Sequence, residues 1–170
     1  LFGEIIGIYI FDLWEKKYSC KVDLIELGPG NGTLLKDILR ITKFLPNFHR
    51  NLDIHLIEKN FHLINKQKNN FHLNIFDHLN FKWHKHFEYI NNKKPVIIIA
   101  NEFFDCFPIR QFSKMNNQWY EKYINFDFKN DKFFYKNLVV EEDFLLKKIL
   151  KYKKVDILEI SEQREVYFDL

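Results

Sequence analysis

The sequence predicts an α/β fold: a mainly parallel sheet with helices on both faces, and an antiparallel β insertion after the fourth strand. Three observations predict it. Apolar runs of strand length alternate with stretches of helical periodicity up to Ala100, the rhythm of strand–helix–strand units. A turn carrying Gly28, Gly30 and Gly32 sits where one such run passes into a helix. Beyond Pro108 the rhythm changes to strand-like runs divided by Asn116-Asn117 and Asn130-Asp131, which is hairpin punctuation.

Taken in order, Leu1 to Lys17 places Phe2, Ile5, Ile6, Tyr9, Ile10, Leu13 and Trp14 at helical spacing. Val22 to Leu27 is a short apolar run suited to a buried parallel strand. After the glycine turn, Thr33 to Phe44 reads as a helix that Pro46 and Asn47 break. Leu52 to Glu58 is the second strand, and Asn60 to Gln67 a helix. The Asn- and Lys-rich stretch from Asn65 to Asn80 reads as loop or weak helix, and Phe81 to His84 as a third strand. Pro95 to Ala100 is the plainest strand, fully apolar, β-branched from Val96 to Ile99, opened by a proline, and expected to be the most buried. Arg110 to Lys114, Trp119 to Phe128 and Lys132 to Lys136 form the meander. Glu141 to Lys151 then reads as an amphipathic helix and Val155 to Ile160 as another strand. No internal repeat or Pro/Gly/Ser linker appears. The expectation is one domain over residues 1–170, with the insertion at about 109–137.

Composition narrows the function classes. Hydrophobic residues are 46% and charged residues 29%, the balance of a globular protein. A net charge of +3, with lysines in small scattered groups, argues for a solvated surface and against a nucleic-acid face. Cys20 and Cys106 are too far apart to suggest a disulfide framework, so a reducing compartment is expected. The apolar runs fall far short of a membrane span. The 19 Phe among many Asn, Lys and Ile have AT-rich codons, a hint of bacterial or organellar origin. The opening Leu1-Phe2-Gly3-Glu4 and the closing Tyr167-Phe168-Asp169-Leu170 both lie inside apolar patterns, so a fragment of a longer protein is expected.

The most specific segment is Glu26-Leu27-Gly28-Pro29-Gly30-Asn31-Gly32-Thr33, between a strand and a helix. Glycines permit a sharp turn and close approach of a ligand, and the helix start beyond offers unpaired N–H groups. A dinucleotide needs G-x-G-x-x-G, but its last position is Thr33 here. Glu26 would also repel a pyrophosphate. It suits a cationic ligand, such as the amino group and sulfonium of S-adenosyl-L-methionine, and E-x-G-x-G-x-G is the methyltransferase pattern. A carboxylate is then expected at the tip of the second strand to accept the ribose hydroxyls, and Ile54-His55-Leu56-Ile57-Glu58 supplies it. The plainer role for Glu58 is capping the next helix. The candidate cofactor residues are therefore Glu26, Gly28, Pro29, Gly30, Asn31, Gly32, Thr33 and Glu58.

Asn101, Glu102 and Asp105 follow the fourth strand, and ligands in open α/β sheets sit beyond such strand ends. They are the candidate catalytic residues. The alternative is that they cap a helix starting at Asn101.

The segments Leu1-Phe2-Gly3-Glu4, Leu24 to Thr33, Ile54 to Glu58 and Ala100 to Phe112 resemble the MidA-like family of class I methyltransferases. That resemblance implies a Rossmann-like class I methyltransferase fold, S-adenosyl-L-methionine as cofactor and a protein substrate. Its mitochondrial members are protein arginine methyltransferases that assist assembly of respiratory complex I, so the bacterial cytoplasm or the mitochondrial matrix is implied. It also implies segments before Leu1 and after Ser161-Glu162. Two positions depart from the family. Cys106 stands where alanine is usual and is expected to be small and buried; Lys85 stands where an acidic residue is common, which bears on adenine recognition.

Given that resemblance, Glu102 and Asp105 would grip and orient a guanidinium and spread its charge as the proton leaves. Arg110 and Gln111, just past Pro108, either orient substrate, close the site or have a purely structural role. His84 and His86 lack the partner set a metal needs. The Phe-rich stretch from Phe103 to Phe134 is either core or an aromatic docking face, with core the expectation. The competing functions are protein arginine methylation, small-molecule methylation and non-catalytic docking in assembly.

Overall fold

The computed structural model describes residues 1–71, 76, 78–87, 94–141, 147–150 and 155–165. The chain divides into two compact units, Leu1–Phe104 and Asp105–Leu170.

The first unit is a parallel sheet with strand order β3-β2-β1-β4, where β1 is Val22–Leu27, β2 Leu52–Ile57, β3 Asn80–His84 and β4 Val96–Ile99. All twelve residues of β1 and β2 are buried. That explains why both read as mostly apolar runs rather than alternating ones: side chains on both faces are removed from water. The strand expected to be most buried is not. β4 lies at the end of the described strand order and Ile98 is 47% exposed. Its apolar sequence reports β-branched stiffness, which suits any strand, and burial depends on neighbours that composition does not name.

Helix α1 (Phe2–Lys17) packs on α2 (Thr33–Ile41). On α2, Leu35, Ile38 and Leu39 are fully buried, one stripe at i, i+3 and i+4 spacing. They join Ile10 and Trp14 of α1, Val22 and Leu24 of β1, and Leu52, Ile54 and Leu56 of β2 in one core. The Trp14 indole N–H donates to the Cys20 carbonyl at 2.8 Å, fixing the passage from α1 into β1. Pro46 was expected only to end a helix. Instead α2 stops at Ile41 and Pro46 opens a one-turn helix, α3 (Pro46–Arg50). A proline needs no N–H partner at a first helical position, so it starts a helix as readily as it stops one. Helix α4 (Phe61–Phe71) runs one turn further than the sequence suggests.

The even-numbered side chains of β1 and β2 face that core. On the opposite face Asp23, Asp53 and His55 are all buried. Lys94 Nζ lies 3.0 Å from Asp23 Oδ1 and donates also to Asp53 Oδ2. Burial works against ionising Asp53, but the bonds from Lys94 and Asn80 outweigh it and hold the carboxyl at about 2.

The second unit is an antiparallel sheet with order β7-β6-β5-β8: β5 Arg110–Met115, β6 Gln118–Asp127, β7 Lys132–Val139 and β8 Ile157–Ile160. The expected meander is present. Asn116 and Asn117 both take positive φ (+49° and +65°), as a two-residue hairpin with right-twisted strands requires. The run at Val155 to Ile160 supplies β8, which pairs antiparallel with β5. The aromatic side chains of the meander are mostly not core. Phe112 and Trp119 are buried, whereas Phe133, Tyr135 and Phe128 are 76%, 72% and 89% exposed. Most of the helix expected over Glu141 to Lys151 lies outside the described residues; residues 147–149 are helical, with Ile149 buried.

Candidate active site

The glycine turn leaves β1 at its carboxyl end and enters α2 at Thr33. Gly28, Gly30 and Gly32 all lie in the left-handed region, at φ +60°, +56° and +76°, which only glycine occupies without strain. The Gly28 N–H donates to the Ile57 carbonyl at 3.0 Å, joining the turn to the tip of β2. A Cβ built on Gly30 would meet nothing within 4 Å, so open space lies above that residue. Gly32 caps α2 without a side-chain hydrogen bond, and the first N–H groups of α2 have no intrahelical acceptor.

Glu26 is the penultimate residue of β1 and only 4% exposed. Its Oε2 is buried with no hydrogen-bond partner among the described residues. Burial pushes its carboxyl up to about 7. An unpaired buried carboxylate is expensive, so a cationic donor beside it would be strongly favoured.

Glu58 follows β2, and its Oε1 accepts from the Asn60 N–H at 2.9 Å. The cap of α4 is Asn60, whose Oδ1 accepts from the His62 N–H at 2.9 Å. Glu58 therefore braces the cap through one oxygen and does not cap α4 itself.

Asn101 and Glu102 come just after β4, which pairs with β1. The tips of β1, β2 and β4 are thus neighbours, as the sequence requires for one site. No helix begins at Asn101. Both residues are exposed bends, and Glu102 holds φ +51°, a conformation that costs a residue with a Cβ. Only one 3₁₀ turn follows, Phe104–Cys106. Asp105 opens the second unit and is exposed, with Arg164 Nη2 4.0 Å from its carboxylate.

Several expectations are revised. Cys106 is exposed rather than buried. Arg110 is held in the second sheet: its Nε and Nη2 donate to the two oxygens of buried Glu121, each at 2.7 Å. Gln111 donates to Glu159 at 3.0 Å. Both therefore have structural partners. His84 pairs with His55 at 2.9 Å, and no cluster of His, Cys, Asp and Glu suited to a metal occurs among the described residues.

The sequence reading missed Phe103, Gln67 and Asn70. The Phe103 ring lies over Gly28. Gln67 is fully buried and donates to the Gly30 carbonyl at 2.7 Å, and Asn70 donates to the Asn31 carbonyl at 2.9 Å. The signal was present in the spacing of Leu63, Gln67 and Phe71, which puts the glutamine on the inward stripe of α4.

Residues 5–169 match the family of S-adenosyl-L-methionine-dependent methyltransferases. The chain belongs to that family. Among its relatives, this methyltransferase chain is 32% identical over 154 residues to the mitochondrial protein arginine methyltransferase NDUFAF7 homolog of Caenorhabditis elegans, covering 81% of this chain and 35% of that protein. It is 31% identical over 147 residues to protein arginine methyltransferase NDUFAF7, mitochondrial, of Homo sapiens, covering 75% of this chain and 33% of that protein. The chain thus spans about a third of the length of these curated relatives. A crystal structure from Burkholderia thailandensis bound to S-adenosyl-homocysteine superposes with a TM-score of 0.66 at 13% identity, over 95% of this chain and 40% of that one. A native structure from the same organism gives 0.69 at 15%, over 95% and 42%. At those identities the likeness speaks for the methyltransferase fold. Among the described residues no helix is long and apolar enough to cross a membrane.

Proposed function

We propose that this chain carries the S-adenosyl-L-methionine site of a protein arginine methyltransferase. The observation that carries it is Glu26: a buried carboxylate with an unpartnered oxygen, beside a turn whose three glycines are all left-handed. The residues fit the cofactor. Glu26 has an acceptor for its cationic amino group, and the space at Gly30 is one that a Cβ would fill. When bound, the cofactor supplies a methyl group on a sulfonium.

In this reading Gly28, Pro29, Gly30, Asn31, Gly32 and Thr33 form the cradle, and Glu58 accepts the ribose hydroxyls with the carboxylate that also braces Asn60. Asn101 and Glu102, at the tip of β4, contact the acceptor, and Asp105, three residues after Glu102 in the chain, is the other candidate carboxylate. Methyl transfer is an in-line displacement, so the protein chiefly orients the reactants. An arginine resists losing its proton, and a carboxylate pair favours its planar charge while fixing its direction. The relatives support arginine as acceptor by name, and their mitochondrial names favour a mitochondrial setting over a bacterial cytoplasm, with the matrix implied by the family resemblance. The family resemblance extends this to assembly of a respiratory complex.

The test is calorimetric binding of S-adenosylhomocysteine to the full chain beside Glu58→Ala and Gly30→Val. Saturable binding lost in both variants supports the site; unchanged binding in both overturns it. Transfer of tritiated methyl into protein, lost in Glu102→Gln while cofactor still binds, supports the acceptor assignment. Label in a small metabolite instead would overturn it.

A docking role beside catalysis has one observation in its favour, the aromatic side chains exposed along β7. Removing them would weaken methylation of an intact protein but not of a short arginine peptide.

A further inference from the structure

The glycine turn is tied to the tip of β2 through the Gly28 N–H and closed by one hydrogen bond of its own, from the Gly32 N–H to the Pro29 carbonyl at 2.8 Å. Each left-handed glycine is a residue with unusual freedom, so a turn of three is costly to order. From outside the turn, α4 adds contacts to three successive residues, Gly30, Asn31 and Gly32.

Gln67 is an amide with 0% exposure, so both of its ends need partners. Its Nε2 donates to the Gly30 carbonyl at 2.7 Å, and its Oε1 accepts from the Trp83 indole N–H at 2.8 Å. An indole N–H only donates, so Trp83 determines which end of the amide turns towards Gly30. Asn70, three residues on, donates to the Asn31 carbonyl at 2.9 Å. Phe71, one further, has ring atoms 3.1 Å from where a Cβ on Gly32 would lie. Spacings of three and four put all three on one face of α4. Phe71 stacks on Phe81 with ring centroids 4.8 Å apart, which ties the same face to β3.

We propose that Gln67, assisted by Asn70, is a positioning residue for the cofactor. It holds the carbonyls of Gly30 and Asn31 so that the turn is shaped for the amino-acid end of S-adenosylmethionine before binding. The inference rests on the assignment of the turn made above. Trp83 acts at one remove, by orienting the amide. Preorganisation of this kind lowers the ordering cost of binding and leaves the contacts themselves unchanged.

The test compares S-adenosylhomocysteine with methylthioadenosine, which keeps the nucleoside and lacks the amino-acid end. Affinities are measured calorimetrically in the full chain, well below its melting temperature. Gln67→Met keeps the bulk and removes both hydrogen bonds; it should weaken S-adenosylhomocysteine about tenfold and methylthioadenosine by less than about threefold. Asn70→Ala should weaken the first ligand a few-fold with an unchanged melting temperature. Trp83→Phe frees the amide to flip and should give the same selective loss. A general packing defect would weaken both ligands alike, and that result overturns the proposal, as does full affinity in folded Gln67→Met and Asn70→Ala. If Gln67→Met does not fold, Asn70→Ala and Trp83→Phe carry the comparison. Unchanged binding in Gly30→Val and Glu58→Ala would overturn the site itself. Binding lost in those two but kept in the Gln67 and Asn70 variants would overturn only the clamp.

Discussion

The Phe103 ring closes over Gly28: a Cβ on that glycine would stand 2.5 Å from Phe103 Cδ2. The segment after β4 is thereby packed on the turn after β1, linking the candidate acceptor end of the site to the cofactor end. Gly28 is constrained twice, by this contact and by φ +60°. Gly28→Ala should destabilise the fold by roughly 2–5 kcal/mol, the sum of a left-handed penalty and overpacking. Adding Phe103→Ala should recover only the packing part, read by urea denaturation as a non-additive double-mutant cycle. Strict additivity would mean that the ring does not press on Gly28.

Gly7 makes a second prediction of this type. In an exposed helix, Gly→Ala stabilises by up to about 1 kcal/mol. In α1 a Cβ on Gly7 would lie 2.6 Å from Ile41 Cγ2 and 3.1 Å from the Ile38 Cα. Since backbone cannot yield as a side chain can, Gly7→Ala should destabilise by about 1–3 kcal/mol. A higher melting temperature for Gly7→Ala would refute the close α1–α2 packing.

Glu26 gives a pH dependence. Its folded carboxyl sits at about 7 against 4.5 ordinarily, because burial disfavours the anion. Between these values the unfolded chain has released the proton and the cofactor-free fold retains it, so this group lowers stability as pH rises from about 4.5 to about 7. The loss is roughly 3 kcal/mol, then constant. His49 opposes it over much of the same range: burial, aided by His78, lowers its imidazole from 6.5 to about 4, so its contribution rises with pH. The wild-type profile therefore hides both. The stability of Glu26→Gln relative to wild type should grow across pH 4.5–7 in chemical denaturation; a flat difference would show that Glu26 is already ionised in the fold. If the cofactor amino group sits against Glu26, S-adenosylhomocysteine binding below pH 7 should release a proton, visible as buffer-dependent heat.

In the second sheet, Arg110 holds Glu121 with two bonds of 2.7 Å, and the Tyr123 hydroxyl donates to the same carboxylate at 2.7 Å. Arg110→Ala leaves a mostly buried carboxylate short of its counter-charge and should cost about 1–3 kcal/mol, the partial exposure of Arg110 moderating the loss. Arg110→Lys should restore only part of it, since an ammonium lacks the two-pronged geometry. Loss of methyl transfer without loss of stability would restore the substrate-orienting role.

Local sequence was a good guide where one residue type or a simple period carries the constraint. Val22–Leu27 and Leu52–Ile57 were legible because a strand buried on both faces is mostly apolar, although each also buries charged or polar side chains: Asp23 and Glu26 in one, Asp53 and His55 in the other. The turn was legible because three glycines at alternate positions have few other uses. The exposed flank at Ile98 and the outward aromatics Phe133 and Tyr135 were not, because exposure depends on which strand sits alongside. Pro46 misled because its missing N–H ends one helix and begins the next equally well.

From the sequence alone came the strand–helix order, the glycine turn, the carboxylates Glu26 and Glu58, and the hairpin punctuation. These are properties of a residue and its close neighbours in the chain. Tertiary structure alone decided that Glu26 keeps an unpaired buried oxygen, that Phe103 lies on Gly28, and that Gln67 holds the Gly30 carbonyl across a gap of 37 residues. Desolvation and hydrogen bonding between distant segments depend on where the folded backbone brings them, and no local pattern encodes that distance.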